Sequence, residues 1–114
     1  MSLQNYVQAQ NVTETSRQTE YRLFAQVTRA LMSAQTGNKS ELREALNWNR
    51  RMWIVLEMSC ASDDNELPQE TRAGIISLAI WVNKHSIKVL NGEADVQAII
   101  QVNRAIMDGL AGNL

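Results

Sequence analysis

The chain has little of what metal sites, disulfides and tight turns require. Its 114 residues include one cysteine, one histidine, one proline and five glycines. The single cysteine, Cys60, excludes an internal disulfide and fits a reducing compartment, so we expect a cytoplasmic protein. His85 has no second soft ligand at metal-site spacing, so no metal site and no cofactor are predicted.

The chain also lacks an excess of charge of either sign, because eleven basic and twelve acidic residues leave a net charge of −1. No global basic field is present to collect nucleic acid, and we do not expect RNA as a partner on this ground. No apolar run approaches the roughly 18 residues of a membrane span, and no cationic start precedes one. We therefore expect neither a membrane segment nor a secretion signal.

The charged residues are unevenly distributed along the chain. Residues 59–70 carry four acidic groups and no cation, whereas residues 16–58 carry seven basic and four acidic groups. This asymmetry is compatible with a solvated acidic loop beside solvated helices, and also with electrostatic orientation of a partner.

Long stretches of helix-forming residues fill the space between the rare breakers, and 45% of the residues are hydrophobic. The pattern predicts an all-α fold, a helical bundle of four long helices in two antiparallel helical hairpins, plus a short N-terminal helix. We expect one domain over residues 1–114. The predicted helices cover residues 3–10, 16–35, 40–58, 68–90 and 95–110. Gly37 is expected to stop the first long helix in a left-handed conformation, before a cap at Asn38 or Ser40. Asp95 is expected to cap the last helix.

Two segments 54 residues apart share one pattern, with an asparagine near the middle of each apolar stripe. The first reads Leu42-x-x-Ala45-Leu46-x-Trp48-Asn49-Arg50-x-Met52-Trp53-x-x-Leu56, and the second reads Val96-x-x-Ile99-Ile100-x-Val102-Asn103-Arg104-x-Ile106-Met107-x-x-Leu110. An unpaired buried amide costs about 1–3 kcal/mol, so each asparagine should have a partner. A role in fixing helix register is predicted, with a direct part in binding as the alternative.

The helix over residues 68–90 is apolar on two faces. One stripe consists of Ile75, Leu78, Val82 and Val89, and the opposite stripe consists of Ala73, Ile76, Ile80 and Ile87. A helix of this kind is usually covered twice. The second stripe is expected to meet the N-terminal segment (residues 3–7), a second subunit in a homodimer, or a separate partner.

Catalytic constellations are missing from the sequence, so an enzyme is not predicted and no catalytic residue is proposed. Cys60 has no neighbouring base, and the glycines mark turns instead of a phosphate loop. Trp48, Arg50 and Arg51 form an aromatic and basic group that suits either protein recognition or a single-stranded RNA site. Trp53 is expected to point into the core.

Four segments, in this order, resemble the small flagellar biosynthesis regulator FlaF of bacteria, over roughly residues 5 to 110. They are Thr19-Glu20-Tyr21-Arg22-Leu23-Phe24, then Trp48-Asn49-Arg50-Arg51-Met52-Trp53, then Leu67-Pro68 with Arg72-Ala73-Gly74-Ile75-Ile76-Ser77-Leu78, and last Val102-Asn103-Arg104-Ala105-Ile106-Met107-Asp108-Gly109-Leu110. The resemblance implies a cytoplasmic helper that acts on flagellin synthesis and export, beside a second regulator, FlbT, which influences translation of flagellin messenger.

This resemblance and the spare apolar face together suggest a flagellin-binding, chaperone-like protein. Flagellin has amphipathic, helix-forming terminal segments, which suit helix-in-groove binding. The predicted partner-binding residues are Trp48, Arg50, Arg51, Ile76, Ile80 and Ile87. FlbT is a further candidate partner. The alternative is an RNA-associated regulator that acts with FlbT on flagellin messenger.

Overall fold

The computed structural model describes residues 16–110, and the predicted short helix at residues 3–10 lies outside this range. Four helices follow one another: α1 Ser16–Ala34, α2 Lys39–Ala61, α3 Gln69–Leu90 and α4 Gln97–Leu110. The described part of the chain contains no strand. The predicted all-α bundle of four long helices is therefore confirmed. The assignment of residues 1–114 to one domain stays a prediction.

The helix boundaries have local causes in the sequence. Asn38 caps α2, because its side-chain oxygen accepts a hydrogen bond of 2.8 Å from the backbone N–H of Glu41. Pro68 stands immediately before α3, where its missing N–H costs no helical hydrogen bond. The Asp95 carboxylate accepts the backbone N–H of Gln97 at 2.9 Å, at the start of α4. The caps predicted at Asn38 and Asp95 are thus confirmed.

The left-handed conformation predicted at Gly37 is wrong, because among residues 16–110 it occurs at Gly92 alone, with φ +74°. Gly92 closes α3, where its N–H donates to Val89 and the N–H of Glu93 donates to Lys88. This is the Schellman arrangement. After α1 the chain leaves instead through a tight turn, in which the N–H of Gly37 donates to the carbonyl of Ala34. Asn38 is then already extended as the cap of the next helix.

The helices pack in a ring, with α1 against α2 and α4, and α3 against α2 and α4. Two buried clusters fill the centre. One lies around the α1–α2 and α3–α4 turns and consists of Leu31, Ala34, Ala45, Leu46, Val89, Val96, Ile99 and Ile100. The other lies toward the opposite end and consists of Phe24, Val27, Met52, Trp53, Ala79 and Val82. The order of these residues along each helix makes both hairpins antiparallel, as predicted.

Candidate functional site

A layer of buried polar side chains separates the two apolar clusters. Its members are Thr28, Asn49, Ser86 and Asn103, and each lies near the junction between the two clusters on its helix. Ser86 bonds within α3, where its hydroxyl donates to the carbonyl of Val82 at 2.6 Å. The other three come from α1, α2 and α4 and meet one another in the centre of the bundle.

Asn103 is the hub of this polar layer. Its side-chain oxygen accepts a hydrogen bond of 2.9 Å from the indole Nε1–H of Trp53. Its side-chain nitrogen donates to the Thr28 hydroxyl at 3.1 Å and to the Asn49 oxygen at 2.8 Å. Each asparagine therefore has at least one buried hydrogen-bond partner, as the sequence predicted. Since both are fully buried, neither contacts a partner molecule, and fixing helix register is the role that the contacts support.

The direction of every bond in this network follows from the tryptophan. An indole N–H can only donate, so the Asn103 oxygen must face Trp53 and the Asn103 amide nitrogen must face the other two side chains. Asn49 then accepts through its oxygen, which leaves its Nδ2 as a buried donor with no partner in the described part of the chain. The network holds α1, α2 and α4 together and contains no reactive group.

The surface between α2 and α3 forms a narrow groove of about 280 Å³. Ile54 of α2 and Ile80 of α3 line it, with 47% and 46% of their side chains exposed. Its deeper wall consists of the buried residues Trp53, Ala79 and Val82. Apolar side chains thus stand on both sides of an apolar floor.

Polar and charged side chains line the edge of this groove. The Arg50 Nε–H donates to the Asn83 side-chain oxygen at 3.0 Å and so ties α2 to α3. Glu57 and Lys84 provide one charge of each sign. A ligand here would meet a mostly apolar surface with a few orienting polar groups.

The second apolar stripe predicted on α3 lies outside the core formed by residues 16–110. Ile87 is 45% exposed, Ala73 is exposed, and Ile76 is half-buried. Helical spacing places Ile76 and Ile87 on the same side as Ile80. The predicted cover from residues 3–7 lies outside the described residues.

Trp48 and Arg51 lie on the other flank of α2, beside Leu23 of α1 and Val55. The structure therefore distributes the six predicted partner-binding residues over two surfaces. Arg50 and Ile80 meet in the groove between α2 and α3, with Ile76 and Ile87 along α3. Arg50 and Arg51 diverge because successive helical residues are about 100° apart. Binding at any of the six stays a prediction.

Three of the most exposed apolar side chains were not among the predicted site residues: Ile54, Val55 and Met58 are 47%, 67% and 67% exposed. The available signal was the unbroken run from Met52 to Leu56, followed by Met58. Such a run is apolar around more than one face of a helix, so part of it has to face outward.

Comparison with known families decides what kind of protein carries these surfaces. The family model described as flagellar protein FlaF matches residues 2–110. The chain belongs to the FlaF family. No curated protein and no solved structure matches the chain. It is thus a flagellar protein, and two of the segments that resembled FlaF supply Asn49, Trp53 and Asn103 of the buried network.

The single histidine and the single cysteine of this FlaF protein, His85 and Cys60, lie outside both the polar layer and the groove. His85 lies 3.1 Å from the Asp95 carbonyl through its Nε2, and its ring stacks on Trp81 with centroids 4.6 Å apart. Cys60 is buried, and burial raises the pKa of its thiol. The positive charge of Arg72 lowers this pKa in part, and the negative charge of Glu20 raises it further. No group of three or more potential metal ligands occurs between residues 16 and 110. None of the helices in that range has the length and apolarity needed to cross a membrane.

Proposed function

We propose that this FlaF protein binds flagellin before export, as a chaperone-like protein without catalytic activity. The observation that carries the proposal is the pair Ile54 and Ile80, which stand half-exposed on opposite sides of the groove between α2 and α3. Membership of a flagellar family supplies the biological setting. FlbT is proposed as a second protein partner.

The chemistry of the groove suits an amphipathic helix. A helix that inserts one apolar face would cover Ile54 and Ile80, and the isoleucines farther along α3 would extend the contact over several turns. Each fully buried isoleucine stabilises a complex by about 1.5–3 kcal/mol in transfer free energy, before the costs of association. Flagellin must stay monomeric before export, and covering an apolar segment of it would serve that purpose.

The groove also offers polar groups that can orient such a helix. Glu57 and Lys84 lie on its edge and can pair with charges at the border of the bound apolar face. Arg50 is held in place by Asn83 through its Nε–H alone. The other N–H groups of its guanidinium can therefore donate to a flagellin carboxylate or carbonyl.

The proposal is tested by mixing purified protein with flagellin and measuring complex formation by isothermal titration calorimetry. Ile80→Asp should abolish binding, because it places a charge in the apolar contact, while circular dichroism stays helical. Val55→Asp is the matched control: it makes a similar change at an exposed aliphatic residue on the other flank of α2, and it should bind normally. Binding that survives Ile80→Asp removes the groove from consideration, and loss in Val55→Asp alone moves the site to the Trp48 flank.

A further inference from the structure

The charged side chains of the groove between α2 and α3 are separated by sign along its length. Arg50 and Lys84 line one end of the groove, and Glu57 lines the other end. We infer that this separation fixes the direction in which a flagellin helix binds, an inference that rests on the proposed function. The acidic end of the bound helix lies at Arg50 and Lys84, and its basic end lies at Glu57.

The relative position of these charges follows from the register of the two helices. α2 leads from the buried cluster at the turns to the cluster at the opposite end, and α3 leads back, so the two helices are antiparallel. The hydrogen bond of 3.0 Å from Arg50 to Asn83 places these residues side by side, and Lys84 is the next residue of α3. Glu57 follows Arg50 by seven residues within α2, which is about 10 Å at a rise of about 1.5 Å per residue.

The half-exposed isoleucines of the groove lie between its two charged ends. Ile54 follows Arg50 by four residues and precedes Glu57 by three, so these three side chains share one face of α2. On α3, Ile80 precedes Lys84 by four residues and lies on the same face as it. A helix that covers both isoleucines therefore meets two cations at one end of its apolar face and a carboxylate at the other.

No carboxylate from α2 or α3 neutralises the basic end of the groove. The other two acidic residues of α2, Glu41 and Glu44, line a pocket on the Trp48 flank. On α3, Lys88 is exposed four residues after Lys84 and therefore adds to the basic end.

The acidic end of the groove likewise keeps its sign. Glu70 is exposed in the first turn of α3, which lies toward the Glu57 end because the helices are antiparallel. Arg72 is the only cation of α3 before Lys84. Its guanidinium donates to the backbone carbonyl of Ser62 at 3.4 Å, and it is not among the residues that line the groove.

This arrangement defines the class of helix that fits the groove. Such a helix carries an acidic and a basic side chain at the two ends of its apolar face, about seven residues apart, to match the separation of about 10 Å. Charge pairs at an interface contribute mainly to specificity, whereas apolar burial provides affinity. The charges of the groove therefore select the direction of a helix that the isoleucines hold.

Charge reversal at each end of the groove tests the inference with purified flagellin. Glu57→Lys and Lys84→Glu should each weaken binding by about fivefold or more in isothermal titration calorimetry at low salt, because each variant opposes like charges. Glu44→Lys and Arg51→Glu are the matched controls. They make the same changes of charge on the Trp48 flank of α2, and they should bind flagellin normally.

The outcomes of this titration separate the inference from the proposed function. Equal affinity of all four variants and the unmodified chain overturns the inference, and the proposed function still holds if Ile80→Asp abolishes binding. Absence of flagellin binding by the unmodified chain contradicts the proposed function itself, and the inference falls with it.

Two amphipathic helical peptides with a nitroxide at the N-terminus test the direction itself. In the first, a glutamate and, seven residues later, a lysine border a stripe of leucines, and in the second these two residues are exchanged. In nuclear magnetic resonance spectra of isotope-labelled protein, the first should broaden the amide signals of Arg50 and Lys84 more than that of Glu57. The second should do the reverse. Broadening that is the same for both peptides, or that is absent from the groove, overturns the inference.

Discussion

Asn103 donates a hydrogen bond of 2.8 Å from its side-chain nitrogen to the side-chain oxygen of Asn49, and both residues are fully buried. These residues occupy matching positions in the two segments that repeat one pattern 54 residues apart. The two copies of the pattern therefore meet in the core. Their asparagines act as one unit, although they do not share its bonds equally.

Replacing the hub should cost far more stability than replacing its neighbour. Asn103→Leu strips partners from the Trp53 indole, the Asn49 amide and the Thr28 hydroxyl. It should lower the free energy of unfolding by more than about 3 kcal/mol, at about 1–3 kcal/mol per abandoned group. Asn49→Leu removes the unpaired amide nitrogen of Asn49 and leaves one N–H of Asn103 without an acceptor, so it should cost within about 1 kcal/mol.

Urea denaturation followed by circular dichroism measures both values. Asn47→Leu is the control, because it makes the same change at an exposed position of α2 and should shift stability by no more than about 0.5 kcal/mol. Equal losses for Asn103→Leu and Asn49→Leu would contradict the assignment of Asn103 as the hub.

The two interhelical glycines should respond differently to alanine. Gly92→Ala forces a side chain into the left-handed region at φ +74°, and it should destabilise the protein by about 1–2 kcal/mol. At Gly37 an added methyl group meets only the flexible side chain of Glu41, so Gly37→Ala should stay within about 0.5 kcal/mol. Thermal unfolding of the two variants provides the comparison. A larger loss at Gly37 would show that the turn after α1 depends on glycine.

Cys60 should react slowly with thiol reagents in the native protein. Its side chain is 1% exposed, and desolvation raises the pKa of its thiol above the ordinary value. Alkylation by iodoacetamide near neutral pH should be at least about tenfold slower than in urea, because it requires local opening. Equal rates in the two conditions would mean that the end of α2 opens freely.

The same raised pKa makes a stability contribution with a defined sign. The unfolded thiol ionises first as pH increases, so the unfolded state gains stability relative to the folded state. The contribution of Cys60 is therefore complete below its unfolded pKa and is lost as pH rises through its folded pKa. Unfolding curves measured on both sides of this range should show less dependence on pH in Cys60→Ala than in the unmodified chain.

The RNA interpretation makes a prediction that separates it from protein binding. It requires affinity for single-stranded RNA that falls steeply with salt and is lost in Arg50→Ala/Arg51→Ala. We expect the Arg50→Ala/Arg51→Ala variant to bind RNA no more weakly than the unmodified chain. The reason is that Arg50 is bonded to Asn83 and Arg51 lies on the other flank of α2, so the two arginines do not form one RNA site. Fluorescence anisotropy with labelled RNA at two salt concentrations measures both effects. Tight binding that depends on these arginines would favour the regulatory alternative.

Local sequence was sufficient for the elements of the fold. Helix-forming composition predicted the four helices, and Asn38 and Asp95 marked their caps, because a cap depends on a few neighbouring residues. The prediction at Gly37 was wrong because a glycine permits the left-handed conformation but does not require it. Helix α1 ends in a tight turn without a left-handed residue, and the left-handed residue occurs at Gly92, where the chain leaves α3.

The sequence alone determined that two asparagines would be buried and in need of partners, and that α3 would be apolar on two sides. Only the tertiary structure decided that each asparagine would be the other's partner, with Trp53 setting the direction of the bonds. Only it placed Ile54 against Ile80 and sent Trp48 to the opposite flank. The reason is that helical periodicity fixes which residues share a face, whereas the packing of whole helices fixes which faces meet.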